Sequence, residues 1–362
     1  MRIALYIGSL AGGGAEKVAC NLASYLAKRN HEVTILTMDD GDAQYNLASE
    51  VKRISLISKS ERRGFVHNFI LRYKRIRKIF KKANYDVYIV MLPTLIILSL
   101  LCSFTSKARI IAAERNMPCC YSKWRQRLLR CLCGRAAGWC FQTREQMEWY
   151  PKQVLHKPYC IIPNAINPDI EQIIPEVGIE KVIVSAGRLT NQKNHSLLID
   201  AFAKIASQIP NYKLIIYGAG PLEEFLQVKI RNLQLNSRIV LAGHSSCLVK
   251  RISTASLFVL PSNFEGMPNA LIEAMGLGLP CIATDCDGGG ARFLINNEVN
   301  GLLVPKKDVD GLAESMLRLI QNQELATALG KEASKIKSEL SAESIYNRWE
   351  KFIINTVISQ ND

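Results

Sequence analysis

The sequence predicts an α/β fold in which two Rossmann-like domains face each other across a cleft. Apolar runs typical of buried parallel strands alternate with helical patterns, and this alternation starts again after an interruption at 167–180. With 362 residues, the chain is also longer than one hydrophobic core usually serves. We therefore expect a first domain over 1–168, a second over 180–340 and a C-terminal helix over 341–362.

The elements follow from the local pattern. In the first domain we predict strands over 3–7, 32–37, 86–91, 109–113 and 137–141, a helix over 16–28, and an end of the series at 161–164. The stretch 167–180 contains Pro168, Pro175 and Gly178 and is interpreted as a linker. In the second domain we predict strands over 182–186, 213–217, 238–242, 257–260 and 280–283, with helices over 196–207, 221–233 and 268–275. A last helix is predicted over 342–358.

Two apolar segments raise the question of a transmembrane helix or an export signal. The run 87–104 has no charge and nearly the length of a minimal transmembrane helix, but Pro93 interrupts it, which favours a buried strand followed by a helix. The N-terminus has too short an apolar run for a signal peptide, so a strand that enters a glycine turn is expected instead. We accordingly expect a cytoplasmic protein whose 11 cysteines are reduced thiols.

The positive charge is concentrated in the first half. Residues 1–170 hold 27 lysines and arginines against 12 aspartates and glutamates, a formal charge of +15, whereas the remainder holds 19 against 20. Residues 62–82 alone contain nine cations, and a second basic stretch spans 123–135. Both stretches are interpreted as amphipathic helices suited to the anionic surface of a membrane, with ordinary surface helices as the alternative. Nucleic acid is not expected as a partner, since no recognition fold accompanies the charge.

A glycine cluster, Gly12-Gly13-Gly14, follows the first strand and opens a helix. It lacks the third glycine of a dinucleotide fingerprint and the Gly-Lys-Ser/Thr of a P-loop. Backbone without side chains still lets amides approach a phosphate or a sugar, although a simple tight turn explains the cluster equally well.

A second motif, at 185–195, carries Arg188 and Lys193 between a strand end and a helix. Both cations could converge on a diphosphate near the start of that helix, and a solvated basic loop is the alternative. A third motif, at 265–280, places Glu265 in a strand-to-helix turn, Pro268 at the first helical position and Glu273 about 7 to 8 Å further along the helix axis. Carboxylates at this spacing are too far apart to share a proton, but they suit the two ends of one elongated ligand.

The order of these motifs resembles glycosyltransferase family 4, whose members are retaining nucleotide-sugar transferases of the GT-B fold. The matching residues are the glycine turn, Gly-Arg-Leu with Gln-Lys-Asn, and Glu-Gly-x-Pro-Asn-x-Leu-x-Glu-Ala-Met followed by Gly-x-Pro. The resemblance implies that Arg188 and Lys193 hold the donor diphosphate, that Glu273 binds the ribose and that Glu265 binds a hydroxyl of the donor sugar. It adds further donor contacts from Gly13, Gly14, His244, Gly266, Met267, Pro268, Asn269 and Ala270. On these grounds Arg188, Lys193 and Glu265 are the predicted catalytic residues.

The same resemblance concerns the acceptor side. Glu114, Arg115 and Asn116 end a strand of the first domain and resemble a cleft motif of members that build bacterial polysaccharides. The chain departs from the family at Phe293, where a glutamate often occurs, and no residue matches a family general base. The first domain is therefore expected to bind the acceptor and face the membrane, and the second to bind the nucleotide-sugar.

A metal-dependent alternative arises from three D-x-D patterns, at 40–42, 285–287 and 308–310. Such short patterns recur by chance, so no metal and no cofactor is expected. The sequence thus predicts a bacterial enzyme, peripheral on the inner face of the plasma membrane, that moves a hexosyl or N-acetylhexosaminyl group from a UDP-sugar to a lipid-linked or cell-surface glycan such as O-antigen or lipopolysaccharide. Two other functions stay open: a sugar-nucleotide epimerase of the same fold, and a non-catalytic glycan-binding subunit at the membrane.

Overall fold

A computed structural model describes residues 1–10, 12–41, 45, 47–82, 84–173, 180–245 and 247–359. The chain divides into two compact units. The first unit comprises Met1–Ala165 and the chain from Glu343 onward, and the second comprises Ile166–Ala342.

The first unit is built on a parallel sheet. Within the described residues this sheet has seven strands in the order β3-β2-β1-β4-β5-β6-β7. The strands are β1 (Arg2–Ile7), β2 (Glu32–Thr37), β3 (Lys52–Ser55), β4 (Val87–Met91), β5 (Ile110–Ala113), β6 (Gly138–Phe141) and β7 (Tyr159–Ile161). The order reverses between β1 and β4, where open α/β sheets form their binding crevice.

Helices that cover this sheet connect its strands. They are α1 (Gly14–Lys28), α2 (Phe65–Lys81), α3 (Pro93–Cys102), α4 (Lys123–Leu132) and α5 (Arg144–Trp149). Ile76 and Phe80 of α2 are fully buried in the core, beside Tyr88 of β4. The uncharged run at 87–104 forms β4 and α3, as expected, because Pro93 starts the helix and separates it from the strand. None of the helices in the described ranges is long and apolar enough to cross a membrane.

The second unit repeats the same architecture. Its described part contains a six-stranded parallel sheet in the order β10-β9-β8-β11-β12-β13. The strands are β8 (Glu180–Ala186), β9 (Lys213–Tyr217), β10 (Ile239–Gly243), β11 (Ala255–Leu260), β12 (Cys281–Asp285) and β13 (Leu302–Pro305). The helices are α6 (His195–Ile205), α7 (Glu223–Asn232), α8 (Leu248–Ile252), α9 (Asn269–Gly276), α10 (Gly290–Leu294), α11 (Val309–Gln321), α12 (Gln323–Ala333) and α13 (Ile336–Glu339).

The segment predicted as a linker at 167–180 begins as packed structure. A 3-10 turn spans Pro168–Gln172, and Ile166 and Ile170 are buried on the second unit. The amide of Ile166 donates to the carbonyl oxygen of Leu340 at 2.8 Å. The linker interpretation is wrong for this part, because the two isoleucines bury apolar surface there; residues 174–179 lie outside the described residues.

The last helix, α14 (Ala342–Ile358), groups with the first unit from Glu343 onward, although the sequence suggested a segment of its own. Its apolar face explains the placement. The rings of Tyr346 and Tyr25 lie 5.3 Å apart, and Trp349 is 1% exposed beneath the guanidinium of Arg115. A side chain on Gly138 would crowd Phe352, so the helix and β6 approach closely there.

This packing predicts that Trp349→Ala destabilises the first unit by about 3 to 5 kcal/mol, the usual cost of deleting a large buried aromatic ring. Urea unfolding followed by circular dichroism measures the change. The matched control is Lys351→Ala, an exposed position two residues further along the same helix, which should change stability by less than about 0.5 kcal/mol. Equal unfolding midpoints for both variants would show that α14 is not part of the core of this unit.

Candidate functional site

The candidate site lies where the strand order of the second sheet reverses. Strands β8 and β11 are neighbours in this sheet, and the chain leaves them on opposite sides, toward β9 and toward β12. Their carboxyl ends lead into two loops, 187–194 and 261–268. In open α/β sheets, ligands bind outside the strands at such a reversal, so the topology alone brings these two loops to a binding crevice.

An ion pair joins the two loops. Lys193 Nζ lies 2.6 Å from Glu265 Oε1, and the side chains are 18% and 6% exposed. Ser262 Oγ donates to the same carboxylate oxygen at 2.6 Å. The described residues provide no further hydrogen bond to this carboxylate.

Amides and carbonyls of the two loops hold them together around this pair. The amide of Asn263 donates to the carbonyl oxygen of Gln192 at 2.8 Å, and its side chain donates to the carbonyl oxygen of Asn191 at 2.7 Å. In return, Gln192 Nε2 donates to the carbonyl oxygen of Phe264 at 3.2 Å. These bonds fix the position of Lys193 relative to Glu265 through the backbone as well as through the charges.

Close backbone approaches allow this arrangement. A Cβ atom on Gly187 would lie 2.9 Å from Cδ of Lys193, so only glycine leaves room for the lysine stem. A third loop also holds Glu265, since the amide of Glu265 donates to the carbonyl oxygen of Asp287 at 2.9 Å. In the same loop, a Cβ atom on Gly290 would collide with the carbonyl oxygen of Gly266. The turn that carries Glu265 is thus enclosed by backbone on two sides.

The motif after Glu265 leads into α9 as expected, with one shift. Pro268 is the cap residue before the helix and has extended backbone angles, so the prediction of Pro268 as the first helical residue is wrong by one position. Helix α9 begins at Asn269 and carries Glu273, which is buried and has a polar partner. Met267, Asn269 and Ala270 therefore surround a helix N-terminus, which favours negative charge.

Two further predicted donor residues are exposed. Arg188 follows Gly187 directly after β8, and the carbonyl oxygen of Arg188 accepts from the amide of Thr190 at 2.8 Å, which closes the turn. His244 follows Gly243, the last residue of β10, where a positive φ of 69° turns the chain. Both side chains are accessible to a ligand at the carboxyl edge of the sheet.

The predicted residues of the first unit lie at the carboxyl edge of its own sheet. Gly13 caps α1 and Gly14 is its first residue. The amide of Gly13 donates to Tyr45 Oη at 3.1 Å. The turn therefore keeps its backbone close to a polar side chain.

Glu114, Arg115 and Asn116 follow β5, where Glu114 is buried and the other two are half-buried. The carboxylate of Glu114 is fully buried and accepts from the hydroxyls of Tyr121 and Tyr150, each at 2.6 Å. Burial raises the pKa of Glu114 above its usual range. Arg115 donates to Asn164 Oδ1 at 3.1 Å, and its Nε and Nη2 are buried without a hydrogen-bond partner among the described residues. Asn116 Oδ1 accepts from the amide of Met117 at 2.9 Å.

Two family models together cover residues 12–336. The model described as Glycosyltransferase Family 4 matches residues 12–170, and the model described as Glycosyl transferases group 1 matches residues 167–336. The chain belongs to glycosyltransferase family 4.

Individual relatives agree with this membership. A Campylobacter jejuni alpha-1,4-N-acetyl-D-galactosaminyltransferase, whose name specifies a glycan on PP-undecaprenol, is 27% identical over 98% of this chain and 98% of its own length. An exopolysaccharide phosphotransferase of Streptomyces coelicolor is 34% identical over 56% of this chain, which spans 21% of that protein. Anabaena HepE in complex with UDP-glucose has a TM-score of 0.81 at 18% identity, over 99% of this chain and 100% of that chain. The expected GT-B fold class, with two parallel-sheet α/β domains, is confirmed.

The D-x-D carboxylates of this glycosyltransferase have partners in the protein. Asp285 pairs with Arg292 at 2.6 Å, and Asp287 pairs with Lys306 at 2.7 Å. Asp308 caps α11 by accepting from the amide of Gly311, and Asp310 pairs with Lys204. Asp40 accepts from the amide of Lys59 at 2.8 Å, whereas Asp42 lies outside the described residues.

The motifs did not reveal every residue that builds the glycosyltransferase site. Ser262 and Asn263 hold Glu265 and the neighbouring loop, and both directly follow Pro261, at the end of β11. A signal was present, since polar residues just after a buried strand lie at the carboxyl edge of the sheet. Gly218, with a φ of 143°, follows β9 and touches the backbone of Gly187, which pairs two glycines at the ends of adjacent strands.

His195 predicts a pH dependence of stability. It is 2% exposed, and burial, with a smaller effect of Lys193, lowers its pKa from 6.5 to about 4. The unfolded chain therefore takes up a proton that the folded chain refuses, so stability is full above about pH 6.5 and falls as the pH drops toward 4. The expected loss over this window is about 3 kcal/mol.

Urea unfolding at several pH values measures this effect. In His195→Gln the slope of the unfolding free energy against pH should decrease, because no group titrates at this position. His156→Gln, a replacement of an exposed histidine in the first unit, is the matched control and should keep the wild-type slope. An unchanged slope in His195→Gln would mean that this imidazole is not held neutral.

Proposed function

We propose that this glycosyltransferase moves a hexosyl or N-acetylhexosaminyl group, with retention, from a UDP-sugar to a lipid-linked or cell-surface glycan. The observation that carries the proposal is the buried contact of Lys193 with Glu265 at the strand-order reversal, directly before the N-terminus of α9. A cation, an acceptor oxygen and a helix N-terminus together match the chemistry of a sugar diphosphate.

Each part of the donor meets one part of this site. Lys193 and Arg188 bind the diphosphate, together with backbone amides at the start of α9. The remaining contacts lie at the two ends of the donor. Glu265 accepts from a hydroxyl of the sugar through Oε2, Glu273 from the ribose hydroxyls, and His244 contacts the base.

In the transfer step the bond between the anomeric carbon and the diphosphate oxygen breaks, and a hydroxyl oxygen of the acceptor bonds to the same face of that carbon. The proton of this hydroxyl passes to the departing phosphate oxygen. Lys193 and Arg188 stabilise the charge that develops on the diphosphate, which is where electrostatic catalysis contributes most. Glu265 and Glu273 bind and orient the donor. We infer that no metal is needed, since two cations and a helix N-terminus face the leaving group.

The name of the Campylobacter jejuni relative, which specifies a glycan on PP-undecaprenol, supports a lipid-linked acceptor. The UDP-glucose bound by HepE supports UDP as the donor nucleotide. A lipid-linked acceptor resides in a bilayer, so we also infer that this enzyme works as a peripheral protein at the inner face of the plasma membrane. O-antigen or lipopolysaccharide is the class of product that fits this inference.

A panel of UDP- and GDP-sugars tests the proposal. The enzyme is incubated with bacterial membrane lipids, and the extracted lipids are analysed by mass spectrometry. We expect a mass increase of one hexose or N-acetylhexosamine with a UDP-sugar, together with free UDP that appears only when acceptor lipids are present. Conversion of the sugar-nucleotide without acceptor would instead indicate an epimerase.

Within this assay, Lys193→Ala should lower kcat by about 100- to 1,000-fold, the usual cost of losing one donor to a developing oxyanion. Lys193→Arg keeps the positive charge and should recover part of the activity. The matched control is Lys204→Ala, which removes a lysine from an exposed ion pair on α6 and should leave kcat unchanged. Absence of transfer by the wild type in this assay, together with cellular glycans that Lys193→Ala and Glu273→Ala leave unchanged, would point to a non-catalytic glycan-binding subunit.

A further inference from the structure

Eight of the nine cations at 62–82 fall into two groups. One group forms ion pairs with acidic residues: Arg62 pairs with Asp39 and Asp40, Arg72 with Asp39, and Arg75 with Glu61. Within the described part of the chain, the second group has no ion pair and consists of Lys74, Arg77, Lys78, Lys81 and Lys82. Five uncompensated charges in nine residues repel each other, so an external anion would stabilise them.

The second group lies on one side of the helix. Residues at i, i+3, i+4 and i+7 share a helix face, which brings Lys74, Lys78 and Lys81 together. With Tyr73, Arg77 and Lys82, they line a shallow groove of about 320 Å³. The opposite face, at Ile76 and Phe80, is fully buried in the core. The helix therefore uses its apolar face for folding and presents its lysines outward.

A second basic segment continues this surface. Arg77 Nε donates to Thr105 Oγ1 at 3.0 Å, in the 3-10 turn Ser103–Thr105 that follows α3. From the other side, the guanidinium of Arg135 lies 3.5 Å from the ring centroid of Phe104 in the same turn. Phe104 itself is 58% exposed. The turn thus connects α2 with the segment after α4, and we call α2, this turn and α4 the basic layer.

The basic layer combines charge with exposed apolar side chains. The two sequence segments that contain α2 and α4, 62–85 and 115–144, have no aspartate or glutamate. Large exposed apolar residues accompany the cations: Val66, Phe69, Ile70, Phe104 and Trp124. In α2 the core takes Ile76 and Phe80, whereas Phe69 and Ile70 are 45% and 46% exposed. Cations mixed with exposed aromatic residues are the composition of helices that lie in a membrane interface.

We propose that the basic layer is the surface with which this protein docks on a bilayer rich in anionic phospholipids. The lysines of α2 bind headgroup phosphates, while Phe104 and the exposed apolar residues enter the headgroup region. The inference rests on the proposed function, which requires access to a lipid-linked acceptor. A nucleic acid offers phosphates too, but it gives no burial to exposed valine and isoleucine side chains.

Vesicle flotation tests the proposal without donor or acceptor. The probes are vesicles of phosphatidylcholine with or without an equal part of phosphatidylglycerol, in buffers of about 0.1 M and about 1 M salt, where the Debye length falls from about 10 Å to about 3 Å. The wild-type protein should bind only the anionic vesicles, and high salt should weaken that binding strongly. Equal binding to neutral vesicles, or none to anionic ones, overturns the proposal.

Two matched variants locate the surface. One variant replaces four lysines of the basic layer by glutamine: Lys74, Lys78, Lys81 and Lys82. The control variant replaces four exposed lysines elsewhere by glutamine: Lys181, Lys213, Lys331 and Lys351. The first variant should bind anionic vesicles at least about 100-fold more weakly than the wild type, because each lysine near such a surface raises the binding affinity several-fold. The affinity of the control variant should stay within a few-fold of the wild type. Equal losses in both variants would contradict a specific surface.

Further measurements test the apolar contact with the bilayer, the alternative of a nucleic-acid surface and the link to the proposed function. Phe104→Ser should weaken vesicle binding at high salt more than at low salt, because it removes an apolar contact and no charge. At equal phosphate concentration the protein should bind anionic vesicles more tightly than duplex DNA, because only the bilayer buries the exposed apolar side chains, and tighter binding to DNA would identify a nucleic-acid surface instead. Transfer to a detergent-dispersed acceptor is also measured on the variant that lacks the four lysines of the basic layer. If this variant loses vesicle binding but keeps its transfer activity, the docking surface is supported. If the wild type binds vesicles but has no transfer activity, only the proposed function is refuted.

Discussion

Lys193 and Glu265 lie 72 residues apart in the chain, and the contact of their side chains joins the two loops that build the candidate site. A buried charge is costly unless it is paired and hydrogen-bonded, and here Glu265 receives both Lys193 and the hydroxyl of Ser262. Removing either charge would leave the other buried without its partner. Much of the surrounding structure serves this contact: adjacent strands β8 and β11 supply the loops, Gly187 leaves room for the lysine stem, and Gly290 lets a third loop approach the turn of Glu265.

In the proposed transfer, the two units have different tasks. The second unit has almost balanced charge, and its cations Arg188 and Lys193 lie in the loop after β8, where the proposal places the diphosphate. The first unit carries the excess positive charge of the chain, and a large part of it lies on α2 and α4. The proposed soluble donor and membrane-bound acceptor need these two different kinds of surface. On that proposal, the basic layer and the loops of the candidate site are separate adaptations of one repeated fold.

Most of the fold could be predicted because buried parallel strands are continuous apolar runs, and β2, β9 and α14 have the predicted bounds. Strand β3, with the sequence Lys-Arg-Ile-Ser at an edge, gave no such signal, and β13 ends in a proline after only three other residues. The motifs identified Lys193 and Glu265 separately, but their contact depends on the neighbour relation of β8 and β11, which no local pattern contains. Glu114 shows the opposite case, since its resemblance to a family cleft motif suggested an acceptor site, whereas the hydroxyls of two tyrosines donate to its buried carboxylate.

A double-mutant cycle on the free energy of unfolding of the second unit tests the central claim most directly. Lys193→Met, Glu265→Gln and the double variant are compared with the wild type by urea unfolding at neutral pH. If the two side chains form the contact on which the site depends, the double variant loses less stability than the sum of the single losses, by at least about 1 kcal/mol. Single losses that add to within about 0.5 kcal/mol would contradict the account, because independent residues behave in that way.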